Sequence, residues 1–258
     1  MLARERRNRI ANLVKSQGSV TIEELTNMFD VSRITIWKDL KLLEEKGFLA
    51  RVHGGAMRLD KLNPEEKDFT IRRESSSLEK QLIAKYAAEN YVKDNEFIFL
   101  DGGTTVLEMI PHLINFSNLT ILTNGLFTLN TASSYIPDLN VICFGGILRK
   151  PSFTFVGPDT EDFITKYNVD TAFVSAFGIT LDKGLTDPNS LDMKIKRIMC
   201  ENARKVIVLI DSEKFGNHSL TTFYEIEEIE NFITDSNAPS DFIEILREKD
   251  ININIVKI

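Results

Sequence analysis

The chain is poor in the residues that build metal centres and disulfide frameworks. Its 258 residues include two cysteines, three histidines and one tryptophan. Cys143 and Cys200 lie far apart in the sequence and the histidines are scattered, so we expect free thiols, no metal site and no cofactor. No apolar run approaches the roughly twenty residues that cross a bilayer. We therefore expect a cytoplasmic protein with no membrane partner.

The first sixty residues have the pattern of short helices. Ile10, Leu13 and Val14 share one face of a first helix over residues 4–17. Thr21 and Glu24 have the spacing of a capping box, which predicts a second helix that ends near Asp30.

A third helix is predicted after Ser32, a residue type that caps helices. Its apolar Ile36, Leu40 and Leu43 recur at helical spacing and would pack inward. The outward positions then carry a polar, cationic and aromatic set suited to a DNA groove: Arg33, Thr35, Trp37, Lys38 and Lys41. Arg6 and Arg7 of the first helix would hold phosphates, although a merely solvated charged helix end is the commoner explanation of such a run.

Charge is unevenly distributed along the chain. Residues 1–60 contain 11 Lys and Arg against 8 Asp and Glu, whereas residues 61–258 contain 20 against 30. DNA would repel the acidic part, so contact with DNA should be confined to the first sixty residues. Because this charge is modest, we expect a homodimer or homotetramer that gains affinity from paired half-sites.

The segment from Val31 to Ala56 resembles the DeoR family of bacterial winged helix-turn-helix regulators, which carry VS-x-x-TIRRDL and then a basic residue ahead of HGGA. The matching residues are Thr35, Ile36, Asp39, Leu40, Arg51, His53, Gly54, Gly55 and Ala56. The resemblance implies operator DNA as a partner, bound by the third helix from Ser32 onward and by a wing containing Arg51, His53, Gly54 and Gly55. Trp37 stands where the family usually has arginine; it would contact a thymine methyl or a sugar, or else pack inward.

After a polar stretch, strand and helix patterns alternate to the end of the chain. Alternation of this kind predicts an α/β fold, with a mostly parallel, Rossmann-like sheet covered by helices. We therefore predict a winged helix-turn-helix domain at 1–57, a linker at 58–77 with one short helical piece, and an α/β domain at 78–258.

Three predicted strands end in turns that suit ligand binding: residues 101–105, 123–125 and 145–146. In parallel sheets such ends meet at one edge, where ligands bind. Gly102 and Gly103 would let the backbone approach an anion, while the hydroxyls of Thr104 and Thr105 and the amides of a helix start would donate to phosphate oxygens. One glycine turn is weak evidence, because tight turns need glycine for conformational reasons; three at equivalent positions are stronger.

This region resembles the DeoR-type effector domain, which is related in fold to ribose-5-phosphate isomerases and CoA transferases. The matching pieces are Lys80, LDGGTT at 100–105, TNG at 123–125, GGILR at 145–149, GLT at 184–186, Lys196 with Arg197, and DSEKFG at 211–216. The resemblance implies a phosphorylated sugar as effector, with a site formed by Lys80, Asp101, Gly102, Gly103, Thr104, Thr105, Thr123, Asn124, Gly125, Gly146, Asp211 and Lys214. Asp101, Thr123 and Asn124 would orient hydroxyls, and Lys80 and Lys214 would neutralise charge. The alternative for Asp211 and Lys214 is a surface helix cap and a solvated lysine.

Two functions fit these patterns. One is a repressor of a sugar-metabolism operon that a phosphorylated sugar relieves; the other is a sugar-phosphate isomerase or transferase with a DNA-binding head. Isomerisation needs a positioned general base, for which Asp101 is a candidate. However, the acidic motif and lysine loop of the isomerases, and the nucleophilic glutamate of CoA transferases, are missing from the sequence. We therefore expect binding without catalysis.

Overall fold

The computed structural model describes residues 3–17, 19–45, 48–52, 55–57 and 68–258. Its contacts divide the chain into two compact units, Met1–Glu65 and Glu66–Ile258. Residues 58–67 of the predicted linker lie outside the described residues.

The first unit contains the three helices that the sequence predicts. They are α1 (Ala3–Gln17), α2 (Ile22–Phe29) and α3 (Arg33–Glu45), accompanied by the strands β1 (Ser19–Thr21), β2 (Ala50–Val52) and β3 (Gly55–Met57). The strands form an antiparallel sheet in the order β1-β3-β2. The apolar faces of the helices meet in one core that includes Ile10, Leu25, Ile36 and Leu40.

Both ends of α2 and the start of α3 form as the sequence predicts. Thr21 Oγ1 accepts the Glu24 N–H at 3.1 Å, and the Glu24 carboxylate accepts the Thr21 N–H at 2.8 Å, which completes the capping box. Asp30 ends α2 in the left-handed region with φ 51°. Ser32 Oγ then accepts the Thr35 N–H at 3.3 Å at the start of α3.

The second unit begins with α4 (Phe69–Glu74), within the predicted linker. Asp68 caps this helix by accepting the Thr70 N–H at 2.9 Å. Phe69 is 1% exposed and its ring stacks on that of Phe127 at 4.6 Å between centroids. The predicted linker is therefore wrong over residues 68–77, because the burial of Phe69 fixes this segment to the α/β unit.

A seven-stranded sheet forms the centre of the second unit. Its strands are β4 (Phe97–Leu100), β5 (Thr120–Thr123), β6 (Asn140–Cys143), β9 (Val169–Val174), β12 (Ala203–Leu209), β14 (Asn231–Asp235) and β15 (Asn252–Val256). They run parallel in the order β15-β14-β12-β9-β4-β5-β6. Ile98 and Leu100 pack into one apolar cluster and Phe99 into another, so both faces of the sheet are covered, as in the predicted fold.

The helices of this unit have the bounds α5 (Ser77–Tyr91), α6 (Thr104–Leu107), α7 (Ile110–Leu113), α8 (Leu126–Ser133), α9 (Pro158–Ile164), α10 (Ser190–Glu201) and α11 (Ser240–Glu248). Residues 104–113 form two short helices, α6 and α7, rather than one continuous helix. Pro111 lies near the start of α7. A proline ring clashes with the carbonyl four residues before it, here that of Leu107, where α6 ends.

Two small antiparallel sheets accompany the large one and were not predicted from the sequence. One is a hairpin of β7 (Ile147–Arg149) and β8 (Thr154–Val156), and the other joins β10 (Gly178–Thr180), β11 (Gly184–Asp187) and β13 (Thr221–Tyr224). The hairpin lies against the turn after β5, where the Phe155 N–H donates to Asn124 O at 2.8 Å and the Leu126 N–H donates to Phe153 O at 2.8 Å. Short accessory strands therefore surround the carboxyl ends of the parallel strands.

Candidate functional sites

Helix α3 presents a mixed cationic and apolar face to solvent. Arg33, Lys38 and Lys41 are exposed. Ile34 and Trp37 are 68% and 47% exposed, so the inward-packing alternative for Trp37 is wrong. The Lys41 ammonium lies 5.7 Å from the centroid of the Trp37 ring, which places a cation beside the exposed indole.

The hydroxyls of Ser32 and Thr35 are used to begin this helix. Their oxygens lie 2.9 Å apart, in addition to the bond between Ser32 Oγ and the Thr35 N–H. Ser32 precedes α3 and Thr35 lies in its first turn, so these two hydroxyls stabilise the start of the helix.

Arg6 does not lie where the sequence predicts. Its side chain is 9% exposed and its Nε donates to Asp39 Oδ2 at 2.6 Å. The prediction that Arg6 holds DNA phosphates is therefore wrong for this arrangement, because the guanidinium is buried against a carboxylate of α3. Arg7 is 26% exposed and its Nε lies 3.8 Å from Asp39 Oδ1, so it is the more accessible of the two.

The wing is described only in part. Arg51 lies in β2 opposite Ala56 of β3. A Cβ at Gly55 would lie 2.2 Å from Val20 O, so glycine is needed for the close approach of β3 to β1. His53 and Gly54, which the sequence assigns to DNA binding, lie outside the described residues.

At the carboxyl edge of the large sheet, Asp101 belongs to a buried ionic cluster. Asp101 Oδ2 accepts the Ser175 N–H at 3.2 Å and lies 3.3 Å from Lys196 Nζ. The same ammonium lies 2.8 Å from Asp187 Oδ2 and donates to Ser175 O at 2.7 Å. Lys196 matches a family motif, but no role was predicted for it from the sequence, because no local pattern indicates that it meets Asp101 and Asp187.

The charges of this cluster perturb one another. Burial by itself lowers the pKa of Lys196, but Asp101 and Asp187 outweigh it and raise the pKa above its ordinary value. Burial raises the pKa of Asp187 to about 6, although Lys196 opposes the rise. The Lys196 ammonium is therefore held charged between the carboxylates of Asp101 and Asp187.

The first glycine turn is packed against other turns. A Cβ at Gly102 would lie 2.3 Å from Thr154 Cγ2 and 3.2 Å from Gly125 Cα. A Cβ at Gly103 would lie 3.1 Å from Asp101 Oδ2. Gly102 therefore allows its own turn to pack against Thr154 and against the turn at Gly125. The space beside the α-carbons of Gly102 and Gly103 is filled by protein atoms.

The residues that begin α6 are buried at this junction. Thr104 and Thr105 are 6% and 1% exposed. Gly103 is the N-cap residue of α6 and has no side chain that could accept a hydrogen bond from the first amides of the helix. The hydrogen-bond donors that this turn could direct at an anion are therefore the amides of the first helical turn and the two threonine hydroxyls.

In the second turn, Thr123 and Asn124 differ in what they offer a ligand. Thr123 Oγ1 donates to Leu100 O at 2.7 Å and accepts the Gly125 N–H at 3.0 Å. Its proton is thus used within the protein, and the prediction that Thr123 orients ligand hydroxyls is wrong. Asn124 Nδ2 donates to Phe155 O at 3.0 Å, whereas Asn124 Oδ1 is buried and accepts no hydrogen bond within the described part.

The third glycine turn lies over helix α9. Gly146 has φ +147°, and a Cβ there would lie 2.1 Å from Thr160 Oγ1. The Thr160 hydroxyl also donates to Gly145 O at 2.7 Å. Close packing against α9 therefore explains the glycine at position 146. The hairpin that follows carries Arg149, whose Nε donates to Asp192 Oδ2 at 2.6 Å.

The last predicted group lies at the end of β12. Lys80 is 1% exposed and donates to the carbonyls of Arg72 and Ser75. Asp211 is 0% exposed, and neither carboxylate oxygen has a hydrogen-bond partner among the described residues. Burial raises the pKa of Asp211, while Lys214 and Lys80 oppose the rise. Because Asp211 is buried, the alternative of a surface helix cap is wrong. Lys80 holds the turn between α4 and α5 through its hydrogen bonds to the carbonyls of Arg72 and Ser75.

Neither thiol is part of a disulfide, and Cys200 is buried while Cys143 is half-buried. Within the described ranges, no group of His, Cys, Asp and Glu is arranged to hold a metal ion. The same part of the chain contains no helix of the length and apolarity that a membrane span requires.

Comparison with known proteins agrees with both units. Residues 6–61 match the model of the DeoR-like helix-turn-helix domain, and residues 75–236 match the DeoR C terminal sensor domain. The HTH-type transcriptional regulator IolR of Bacillus subtilis is 34% identical over 94% of this chain and 95% of its own length. The glycerol-3-phosphate regulon repressor of Escherichia coli is 33% identical over 97% of this chain and 98% of its own.

Among solved structures, the ribose 5-phosphate isomerase from Plasmodium falciparum covers 54% of this chain and 52% of its own, with a TM-score of 0.40 and 17% identity. The family models match most of the chain, and relatives above 30% identity match nearly all of it. The chain therefore belongs to the DeoR family of DNA-binding transcriptional regulators.

Proposed function

We propose that the second unit binds a phosphorylated sugar or polyol, and that this ligand releases the first unit from its operator. The observation that carries the proposal is a set of buried acceptors without donors. Asn124 Oδ1 and both oxygens of Asp211 accept no hydrogen bond within the described residues. Buried acceptors are normally satisfied, so hydroxyl donors of a ligand would gain full hydrogen bonds here.

These acceptors lie along one edge of the sheet. Asn124 follows β5 and Asp211 follows β12, and three strand spacings separate β5 from β12 in the sheet order. At the usual spacing this is roughly 14 Å, a span that a sugar phosphate fills in part. Fixed acceptors of this kind discriminate strongly among polyols, because a missing hydroxyl leaves a buried group unpaired.

The phosphate would lie at the start of α6. Thr104 and Thr105 supply hydroxyls, and the amides that follow Gly103 supply further donors. Lys214 is half-exposed beside Asp211 and would balance the added negative charge. A relative is named for a glycerol-3-phosphate regulon, which agrees with a small phosphorylated ligand.

In the first unit, α3 would enter the major groove and Arg7, Arg33, Lys38 and Lys41 would contact phosphates and base edges. Arg51, Gly55 and the flanking residues of the wing would contact the backbone. The protein would act in the cytoplasm as a homodimer or homotetramer, with two heads on paired half-sites. The ligand can weaken operator binding only if it prefers an arrangement of the heads that fits those half-sites poorly.

We further propose that the site binds its ligand without turnover. Asp101, the candidate general base, is 1% exposed and is engaged by Lys196 and by the Ser175 N–H. Both partners engage Oδ2, so this carboxylate is part of a buried ionic cluster rather than a base that faces open space. Steady conversion of any pentose or hexose phosphate by the purified protein would overturn this part of the proposal.

Thermal shift with a panel of sugar phosphates, each paired with its unphosphorylated sugar, tests the ligand. We expect one phosphorylated compound to raise the Tm, because a ligand that binds the folded state stabilises it. The same compound should release a fluorescent operator duplex in an anisotropy titration, and Asn124→Ala should weaken the response. A panel without any effect on Tm, or equal effects of sugar and sugar phosphate, would contradict the proposal.

A further inference from the structure

The DNA-facing side of the first unit has an apolar groove that its charge pattern does not explain. The groove has a volume of about 400 Å³ and is lined by Ile22, Arg33, Ile34 and Trp37. Ile34 is 68% exposed and Trp37 is 47% exposed, although the surrounding positions of α3 are cationic or polar.

The two apolar side chains act as one surface. Ile34 and Trp37 are three residues apart on α3, so they lie on the same side of the helix. Arg33, Lys38 and Lys41 are exposed around them, and the Lys41 ammonium lies 5.7 Å from the Trp37 ring. An apolar surface bordered by cations is suited to a partner that has phosphates at its margins and an apolar group at its centre.

The major groove of duplex DNA meets that description. It is wide enough for an α-helix, and among its base edges thymine presents an apolar group, the C5-methyl. Guanine, cytosine and adenine present hydrogen-bond donors and acceptors there, which an isoleucine or an indole face leaves unpaired. We infer that Ile34 and Trp37 are specificity-determining residues that read thymine methyl groups in each half-site.

This inference rests on the proposed placement of α3 in the major groove and adds the base that it reads. Burial of one methyl group against an apolar side chain corresponds to about a fourfold change in affinity. Because both side chains are exposed, replacing them by alanine removes the apolar surface and leaves the hydrophobic core of the first unit intact.

The experiment begins with selection of a binding duplex from a random pool by the full-length protein. Each thymine of the selected half-site is then replaced by deoxyuridine, which removes the methyl group and keeps the base pair. We expect one or two positions at which wild-type affinity, measured by anisotropy at constant salt, falls about fourfold. At those positions Ile34→Ala or Trp37→Ala should bind thymine and deoxyuridine duplexes equally.

Met28→Ala is the matched control, because Met28 is an exposed apolar residue of the same unit that borders a different groove with Arg9 and Asn12. It should keep the full deoxyuridine effect. Circular dichroism should show that all three variants fold.

Two outcomes would overturn the inference that thymine methyl groups are recognised. One is that the wild-type protein binds every deoxyuridine duplex as tightly as the thymine duplex. The other is that Ile34→Ala and Trp37→Ala both keep the wild-type ratio of affinities for the thymine and deoxyuridine duplexes. Failure to select any duplex would instead contradict the DNA-binding role of the first unit.

Discussion

Arg6 Nε lies 2.6 Å from Asp39 Oδ2, and this ion pair joins helix α1 to helix α3. The two side chains are 9% and 8% exposed, so the pair is largely removed from solvent. Loss of one member of such a pair leaves a buried charge, and the cost exceeds that of a surface ion pair. Arg6 therefore contributes to the position of the DNA-reading helix rather than to phosphate contacts.

We expect Arg6→Ala to lower the free energy of unfolding of the first unit by about 2–4 kcal/mol, because Asp39 loses its nearest cation. Urea unfolding followed by tryptophan fluorescence measures this, since Trp37 is the sole tryptophan of the chain. Arg9→Ala, an exposed arginine on the same helix, should change it by less than about 1 kcal/mol. Equal stability of the two variants would contradict a structural role for Arg6.

The double variant Thr104→Ala with Thr105→Ala should bind operator DNA as the wild type does and lose its response to the effector. The two hydroxyls begin α6, where the proposed phosphate lies, and neither belongs to the DNA-binding unit. Operator anisotropy with and without effector makes the comparison. A double variant that remains fully inducible would remove the phosphate from this turn.

Asp211→Asn should stabilise the protein at neutral pH. Burial raises the pKa of Asp211 in the folded protein above the value near 4 of an unfolded chain. Stability is therefore lost as the pH rises from about 4 through the folded pKa, and the amide removes that loss. We expect added stability at pH 7.5 and none near pH 4, measured by thermal unfolding, together with weaker effector binding.

Asp235→Asn is the matched control for that experiment. Asp235 is also 0% exposed, but it accepts the Ser212 N–H at 2.7 Å and the Asn237 N–H at 2.9 Å. An amide there loses one acceptor, so this variant should be less stable than the wild type at pH 7.5. If both variants shifted the Tm in the same direction, the hydrogen-bond argument would fail.

Lys196→Met should be strongly destabilising, by about 3–5 kcal/mol at pH 8, because Asp101 and Asp187 then remain buried without their shared cation. The pKa of Asp187 is already raised to about 6. Protonation in the folded state relieves the repulsion, so the loss should be smaller at pH 5 than at pH 8. Lys194→Met, at a position 58% exposed on the same helix, should cost less than about 1 kcal/mol at either pH.

Much of the fold follows from local patterns in the sequence. The capping box of Thr21 and Glu24 and the inward face of Ile36 and Leu40 are local signals, and the structure confirms them. The buried parallel strands are likewise continuous apolar runs such as Phe97–Leu100. In contrast, β7 (ILR), β8 (TFV), β10 (GIT) and β11 (GLTD) lack a continuous apolar run that would mark them as strands.

The site was less predictable because its contacts are distant in sequence. Arg6 and Asp39 are 33 positions apart, so nothing near Arg6 indicates that it is buried. Thr123 looks like a ligand-binding hydroxyl until its bond to Leu100 O, 23 positions earlier, is seen. The glycine turns were correctly placed at the strand ends, but their packing against Thr154 and Thr160 depends on elements that the sequence did not reveal.

The contact between Gly102 and Thr154 Cγ2 has a consequence for how this protein can diverge. Any side chain at position 102 collides with the methyl group at position 154, so the two positions form an epistatic pair. Gly102→Ala alone should displace the hairpin, whereas Thr154→Ser removes the obstructing methyl and retains the hydroxyl that donates to Asp192. Related chains with a residue larger than glycine at position 102 should therefore have a residue smaller than threonine at position 154.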